Sequence, residues 1–406
     1  MINKSKFDYY KDLLNDYAAK NYTQMLREPD GLLNHKFIVP GSCYANSLWD
    51  WDSWLTDIAL KNVKGTDKNA LADYQKGCIM NFLDHQDDKG RLHITIMPGG
   101  TLPDLNYPVP SNVHKPCLAQ HALFISENIG DFSWLAGYFE KMEKFIDYYY
   151  RDQRHESGLF IWIDDVAIGV DNDPSTFYRP KRSSASIYLN CLMYMELKAM
   201  AKISKNLHYN EKSAKYSKLA EELRDTVRRE LWDERDGFYY SGDVNLVPID
   251  PDFWLHSGCP RHWSVLIQRI DCWSGFMAMW AGIATKEQAE RMVKRYRDKK
   301  TFNAPYGVRT LGKQEKQYLI VKSGNPSCWL GPIWGVSNWM VYEGLRNYGY
   351  DKDADELAMK HLKMLGKDIE KNGELHEYYD PETGVGVNNP GFQNWNLLGI
   401  LMEIKG

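Results

Sequence analysis

Carboxylates interleaved with tryptophans mark several stretches of this chain. The first, SLWDWDSWLTDIAL (47–60), sets Asp50 and Asp52 among Trp49, Trp51 and Trp54. The second, SGLFIWIDDVAIGVDNDPSTFYRP (157–180), carries Asp164, Asp165, Asp171 and Asp173. The third, SCWLGPIWGVSNW (327–339), places Gly331 and Pro332 between Trp329 and Trp334, and the fourth, NGELHEYYDPETGVGVNNPGFQNWNLLGI (372–400), holds Glu374, Glu377, Asp380 and Glu382. Cleaving a glycosidic bond needs one carboxylic acid to protonate the leaving oxygen and a carboxylate on the opposite side to activate a water. The second and fourth stretches can supply these two groups from separate loops. Indole rings, flat and apolar with one polar edge, suit the C–H faces of sugars. Each acid also has an ordinary reading. One of Asp50 and Asp52 is expected to be a helix N-cap, and Asp-Asn-Asp-Pro and Tyr-Asp-Pro-Glu-Thr-Gly are common turn sequences.

The elements that must position these groups are helical. Apolar residues at i, i+3, i+4 and i+7 predict about twelve helices and hardly any alternating strand. They fall at 4–27, 52–63, 68–85, 116–128, 132–153, 184–204, 210–230, 271–283, 286–298, 333–348, 352–371 and 391–404. Short turns join the members of each pair, and long loops follow at 86–115, 154–183, 231–270, 299–332 and 372–390. A repeat of roughly 60 to 85 residues, each a helix, a tight turn, a helix and a long loop, predicts helical hairpins arranged around a ring. The expected fold is therefore all-α, an (α/α)6 barrel forming one catalytic domain over 1–406. The second, fourth, sixth, eighth, tenth and twelfth helices would line its inside, and 4–27 would back the last of them. Apolar CWSGFMAMWAGIA (272–284) fits an inner position, and the charged stretch at 211–231 fits an outer one. All long loops would then gather on one face, where a site belongs.

Bulk properties narrow the partners. The 406 residues carry a net charge of about −4 with both signs mixed throughout, which provides no basic stripe for nucleic acid and no polybasic segment for a membrane. A small glycoside or oligosaccharide fits better, and the 14 Trp, 26 Tyr and 14 Phe add weight to it. Seven cysteines scattered singly imply neither a zinc site nor a disulfide framework. With no apolar stretch of signal-peptide length near the N-terminus, the expectation is a cytoplasmic protein. His114, His256, His262 and His376 fall in long loops without metal-ligand spacing, so neither a metal nor another cofactor is expected.

The segments WDWDSW (49–54), GVDNDPS (169–175), GPIW (331–334), HEYYDPETG (376–384) and GFQNWN (391–396) together resemble, in order, the signature of a glycoside hydrolase clan. It holds the family 37 trehalases and family 63, with its α-glucosidases and mannosylglycerate or glucosylglycerate hydrolases. The resemblance implies Asp171 as general acid, Glu377 as general base, and inversion at the anomeric carbon. It also implies that Asp52 holds the water and a sugar hydroxyl, and that Trp51, Trp334 and Trp395 line the pocket. Trp49, Gln120, Gly169, Asn172, Tyr306 and Trp329 complete the expected substrate-contacting set. Where the clan's acid motif reads closer to Glu-Ser-Gly-x-Asp, this chain has Ala167 and Ile168, and Asp164, Asp165 and Asp173 remain rivals for the acid. The expected activity is hydrolysis of a small α-glycoside, foremost an α-glucoside, with a glycosylglycerate or trehalose as alternatives. One of Arg179, Lys181, Arg182, Arg261 and Arg309 would meet the carboxylate of a glycerate. A sugar epimerase, a phosphorylase and a sugar-binding protein without turnover are competing uses of the same fold.

Overall fold

The computed structural model describes residues 3–106, 111–246, 254, 263–321 and 326–405. The helices are α1 (Lys4–Asn21), α2 (Asp50–Leu60), α3 (Lys68–Asp84), α4 (Leu118–Ile129), α5 (Phe139–Tyr148) and α6 (Ile187–Asn206). They continue with α7 (Asn210–Glu230), α8 (Met277–Trp280), α9 (Lys286–Tyr296), α10 (Gly335–Asn347), α11 (Asp351–Asn372) and a closing 3₁₀ helix, Asn394–Leu401. Local chemistry sets many of their ends. Asp67 caps α3 by accepting from Asn69 N and Ala70 N, Thr285 and Gln288 form a capping box on α9, and left-handed Gly130 and Gly373 terminate α4 and α11.

The ring is visible in what touches what. Going round, α2 packs on α4, α4 on α6, α6 on α8, α8 on α10, α10 on the closing 3₁₀ helix, and that helix back on α2. This closed circuit is the inner ring of an (α/α)6 barrel. Outside it, α3 packs on α4, α7 on α6, α11 on α10, and α1 on both α11 and the closing helix. Burial follows position. Nearly every residue of α2 and α10 is buried, whereas α7 buries only Tyr216, Ala220, Leu223 and Val227, a single stripe at helical spacing. One buried carboxylate bolts two inner helices together: Glu196 of α6 accepts from Ala119 N (2.7 Å) and Gln120 N (3.1 Å) at the start of α4.

Several expected boundaries shift. The helix expected over 4–27 stops at Asn21, because the chain tightens and then enters a short strand, Leu26–Arg27, paired with Phe37–Ile38. The one expected over 271–283 shortens to a 3₁₀ turn, Trp273–Phe276, followed by α8. Gly275 is pressed against Phe238 and the Tyr239 carbonyl, and Gly282 in the left-handed region ends the segment. The last expected helix, 391–404, is the closing 3₁₀ helix. Neither Asp50 nor Asp52 is the N-cap of α2; Trp49 occupies that position and both acids sit in the first turn.

Strands that the sequence pattern did not reveal stitch the loop face together. Leu48–Trp49 leads into α2 and pairs with Thr95–Ile96; Ser184–Ala185 leads towards α6 and pairs with Ser241–Asp243; Ile333–Trp334 leads into α10 and pairs with Tyr378–Tyr379. Each ties the entry of an inner helix to a different long loop. No helix among the described residues is long and apolar enough to cross a membrane.

Candidate active site

A cleft opens on the loop face, lined by Tyr44, Trp49, Asp50, Trp51, Asp52, Ile94, Lys115, Ala167, Gly169, Asp171, Ser327, Trp334, Glu377 and Trp395. Its carboxylates come from three directions. The first turn of α2 supplies Asp50 and Asp52, the loop before α6 supplies Asp171, and the loop before the closing helix supplies Glu377.

Glu377 immediately precedes the strand Tyr378–Tyr379, in register with Trp334 through Tyr378. Its amide donates to the Asn388 carbonyl (2.9 Å), so the hairpin partner fixes its backbone. Its side chain is nearly buried, with Oε2 accepting from Asn388 Nδ2 (3.3 Å) and Asn389 Nδ2 (3.4 Å) and a further bond from the Tyr44 hydroxyl. Burial raises its pKa to about 7; the Asp171 charge adds to the rise, and the Asn389, Asn388 and Tyr44 donors oppose it. Behind the hairpin, Asp368 of α11 binds both His376 Nδ1 (2.8 Å) and the Tyr379 hydroxyl (2.9 Å), holding the residues on either side of this stretch.

Asp52 is buried in the cleft wall. Asn394 Nδ2 donates to its Oδ1 (2.6 Å), and Asn394 is itself oriented by the Thr56 hydroxyl (2.9 Å). Burial pushes its pKa up to about 8; Asp50 and Glu377 reinforce the rise, and Lys115 opposes it. A carboxyl raised in this way favours the folded state most when protonated. That contribution is complete below the ordinary carboxylate range and is lost as the pH climbs through 8. Asp52→Asn, which keeps an acceptor for Asn394, is therefore expected to melt several degrees above the parent at pH 8 to 9, with the gain shrinking towards pH 4. Thermal melts across that range check this, and a gain that does not depend on pH would contradict it.

Of the four aspartates in the loop before α6, only Asp171 lines the cleft. Asp164 is engaged by Asn112 Nδ2 (2.9 Å) and lies 3.6 Å from Lys181. Asp173 is buried against the Ser175 and Thr176 hydroxyls, and half-buried Asp165 does not reach the cleft. The loop reaches Asp171 through Ala167 (φ +57°) and Gly169 (φ +88°), both left-handed.

The wall is aromatic. Trp51 and Trp395 have ring centroids 5.4 Å apart, and Trp395 and Trp334 are 5.6 Å apart. Trp49, Trp51, Asp52, Gly169, Trp334 and Trp395 line one cleft together with Asp171 and Glu377. Four other expected contact residues do not line it. Trp329 lies behind Trp334, stacked at 4.0 Å and 10°. Asn172 commits its Oδ1 to the Trp329 amide (2.7 Å). Gln120 turns its Nε2 to the carbonyls of Pro116 (2.8 Å) and Leu192 (3.0 Å), tying α4 to α6. Tyr306 packs on Gly384 beneath the loop of Glu377. Tyr44, Ile94 and Lys115 join the cleft without any motif having marked them, and Ser327, the first residue of the third stretch, joins it too.

The basic candidates among the described residues are engaged elsewhere. Arg309 is buried against Glu382 and the carbonyls of Lys299 and Thr301; Arg179 pairs with Asp243; Arg182 donates to the Asp152 carbonyl. His114 is buried against Phe82 and Phe145, and His376 faces Asp368. His256, Arg261 and His262 lie outside the described residues.

Residues 44–395 match the family described as the mannosylglycerate hydrolase MGH1-like glycoside hydrolase domain. The chain belongs to this family. Among curated relatives of this family member, mannosylglycerate hydrolase MGH1 of Selaginella moellendorffii is 32% identical over 131 residues, 32% of this chain and 24% of the relative. The periplasmic trehalase of Escherichia coli O1:K1 is 23% identical over 404 residues, 86% of this chain and 63% of that one. The chain thus spans well under two thirds of the MGH1 relative. Among solved structures, a family 63 mannosylglycerate hydrolase of Thermus thermophilus in complex with glucose superposes with a TM-score of 0.69 at 19% identity, covering 95% of this chain and 99% of that one. That likeness establishes the shared barrel.

Proposed function

We propose that this protein is an inverting glycoside hydrolase for a small α-glycoside, one catalytic domain with Asp171 as general acid and Glu377 as general base. The observation that carries this reading is the pairing of Asp171 and Glu377, brought from separate loops to one tryptophan-walled cleft. Asp171 protonates the departing glycosidic oxygen as the bond breaks. Glu377 takes a proton from a water attacking the opposite face of the anomeric carbon. A base must be ionised to act and works best with a pKa near the working pH, which suits a carboxylate raised to about 7. Asp52, beside it, helps to hold that water and a sugar hydroxyl. The indole N–H groups of Trp49 and Trp395 are buried and have no protein acceptor among the described residues.

For the substrate, an α-glucoside suits the aromatic wall. The family's description and the MGH1 relative favour a second reading, a mannosylglycerate, with a glucosylglycerate as its near variant. Sugar release from α-glucosides, trehalose, mannosylglycerate and glucosylglycerate separates these readings. The expected result is phosphate-independent release from at least one of them. Turnover only with phosphate, epimerisation without cleavage, or binding without turnover would each overturn the hydrolase reading.

A further inference from the structure

The floor of the cleft holds a buried ion pair that the hydrolytic mechanism does not use. Lys115 Nζ lies 2.9 Å from both Asp50 Oδ1 and Asp50 Oδ2, and Lys115 N donates to the same carboxylate at 3.0 Å. Both side chains are almost wholly enclosed. A buried ion pair is a weak stabilising device, because the cost of desolvating two charges offsets most of their attraction. Its place at the cleft floor calls for another explanation, and the neighbours supply one. The lysine stem lies directly against Gly169: a methyl group added there would stand 2.5 Å from Lys115 Cε and 3.0 Å from Trp51 Cζ2. Gly169 is two residues from Asp171.

The segment that carries Lys115 grips the rest of this loop as well. Asn112 Nδ2 donates to the carbonyls of Asp164 (2.9 Å) and Val166 (2.8 Å), and Asn112 Oδ1 accepts from Ile163 N (2.9 Å). That segment is itself anchored, since His114 N donates to the Leu92 carbonyl (3.0 Å) and the Tyr149 hydroxyl donates to the His114 carbonyl (2.8 Å). Between these grips Ala167 adopts a left-handed conformation that a side chain disfavours. Such strain persists only where the surroundings over-determine it.

We propose that Lys115, held at both its backbone N and its Nζ by Asp50, is the positioning residue for the acid loop: its stem is the seat on which Gly169 rests and which sets where the Asp171 carboxyl meets the leaving oxygen. This rests on the assignment of Asp171 as general acid. Removing Lys115 alone would strand the buried Asp50 charge, so the test removes both charges. Asp50→Asn/Lys115→Ala takes away the seat, and Asp50→Asn/Lys115→Met restores a stem without charge.

The probes are an α-glycoside with an alcohol leaving group, which needs protonation, and α-glucosyl or α-mannosyl fluoride, matched to the glycone the enzyme accepts, which does not. The alanine variant is expected to lose about a hundredfold in kcat on the alcohol glycoside. Its KM should stay within a few-fold and its fluoride hydrolysis near the parent rate, and the methionine variant should recover about tenfold. Equal losses on both probes, no loss on either, or identical alanine and methionine variants would overturn the proposal. Asp171→Asn is run alongside. If it too shows no dependence on leaving group, the acid assignment has failed; if it does and the Lys115 variants do not, the positioning role has failed.

Discussion

Glu377→Gln is expected to lower kcat by about three to four orders of magnitude while KM stays within a few-fold. The amide is nearly isosteric and its oxygen can still accept from Asn388 and Asn389, so the hairpin and the cleft keep their shape. What disappears is the proton acceptor for the attacking water. Two accompanying signs separate this from general damage. Azide, a nucleophile that needs no base, should restore turnover and give a glycosyl azide of inverted configuration. Removing a carboxyl whose pKa burial raises to about 7 should also raise the melting temperature at pH 8. A variant with near-normal kcat would remove Glu377 from the mechanism. In the parent enzyme, kcat/KM should fall as the pH drops below about 7, where Glu377 becomes protonated.

Asp171→Asn is the second large effect, and its signature differs. Loss of the acid matters in proportion to how poor the leaving group is. Turnover of an alcohol glycoside is expected to fall about 10³-fold or more, while the matching α-glycosyl fluoride is hydrolysed at close to the parent rate. Steady-state kinetics on the two substrates check this. An equal loss on both would point to Asp171 holding the sugar rather than donating a proton, and no loss would return Asp164, Asp165 and Asp173 to contention.

The barrel was legible because its repeat is written in helical periodicity and in the alternation of short turns with long loops. Both survive small errors in where a helix ends. What escaped was made by distant contacts. The loop-face strands are two or three residues long, too short to show alternation, and they exist because the loops meet across the barrel mouth. In the same way, it is position on the cleft wall that separates Asp171 from its neighbours, and that position depends on other loops: Asp164 is held aside by Asn112 from a different loop, while Asp173 turns to Ser175 beside it. Gln120 read as a sugar-facing amide at the start of an inner helix, yet the nearby carbonyls of Pro116 and Leu192 claim it. Trp329 and Asn172 sit one layer behind the cleft, where they support Trp334. Lys115 carried no signal in sequence because its importance lies in what it touches, Asp50 and Gly169.

Inversion requires Asp171 and Glu377 to work on opposite faces of one anomeric centre. Proton NMR of the first-formed sugar tests this directly, with any α-glycoside the enzyme accepts and at times shorter than mutarotation. The β-anomer should appear first and the α-anomer only later, as mutarotation proceeds. An α-anomer formed first would mean retention, and with it a covalent or same-face route that this pair of residues does not provide.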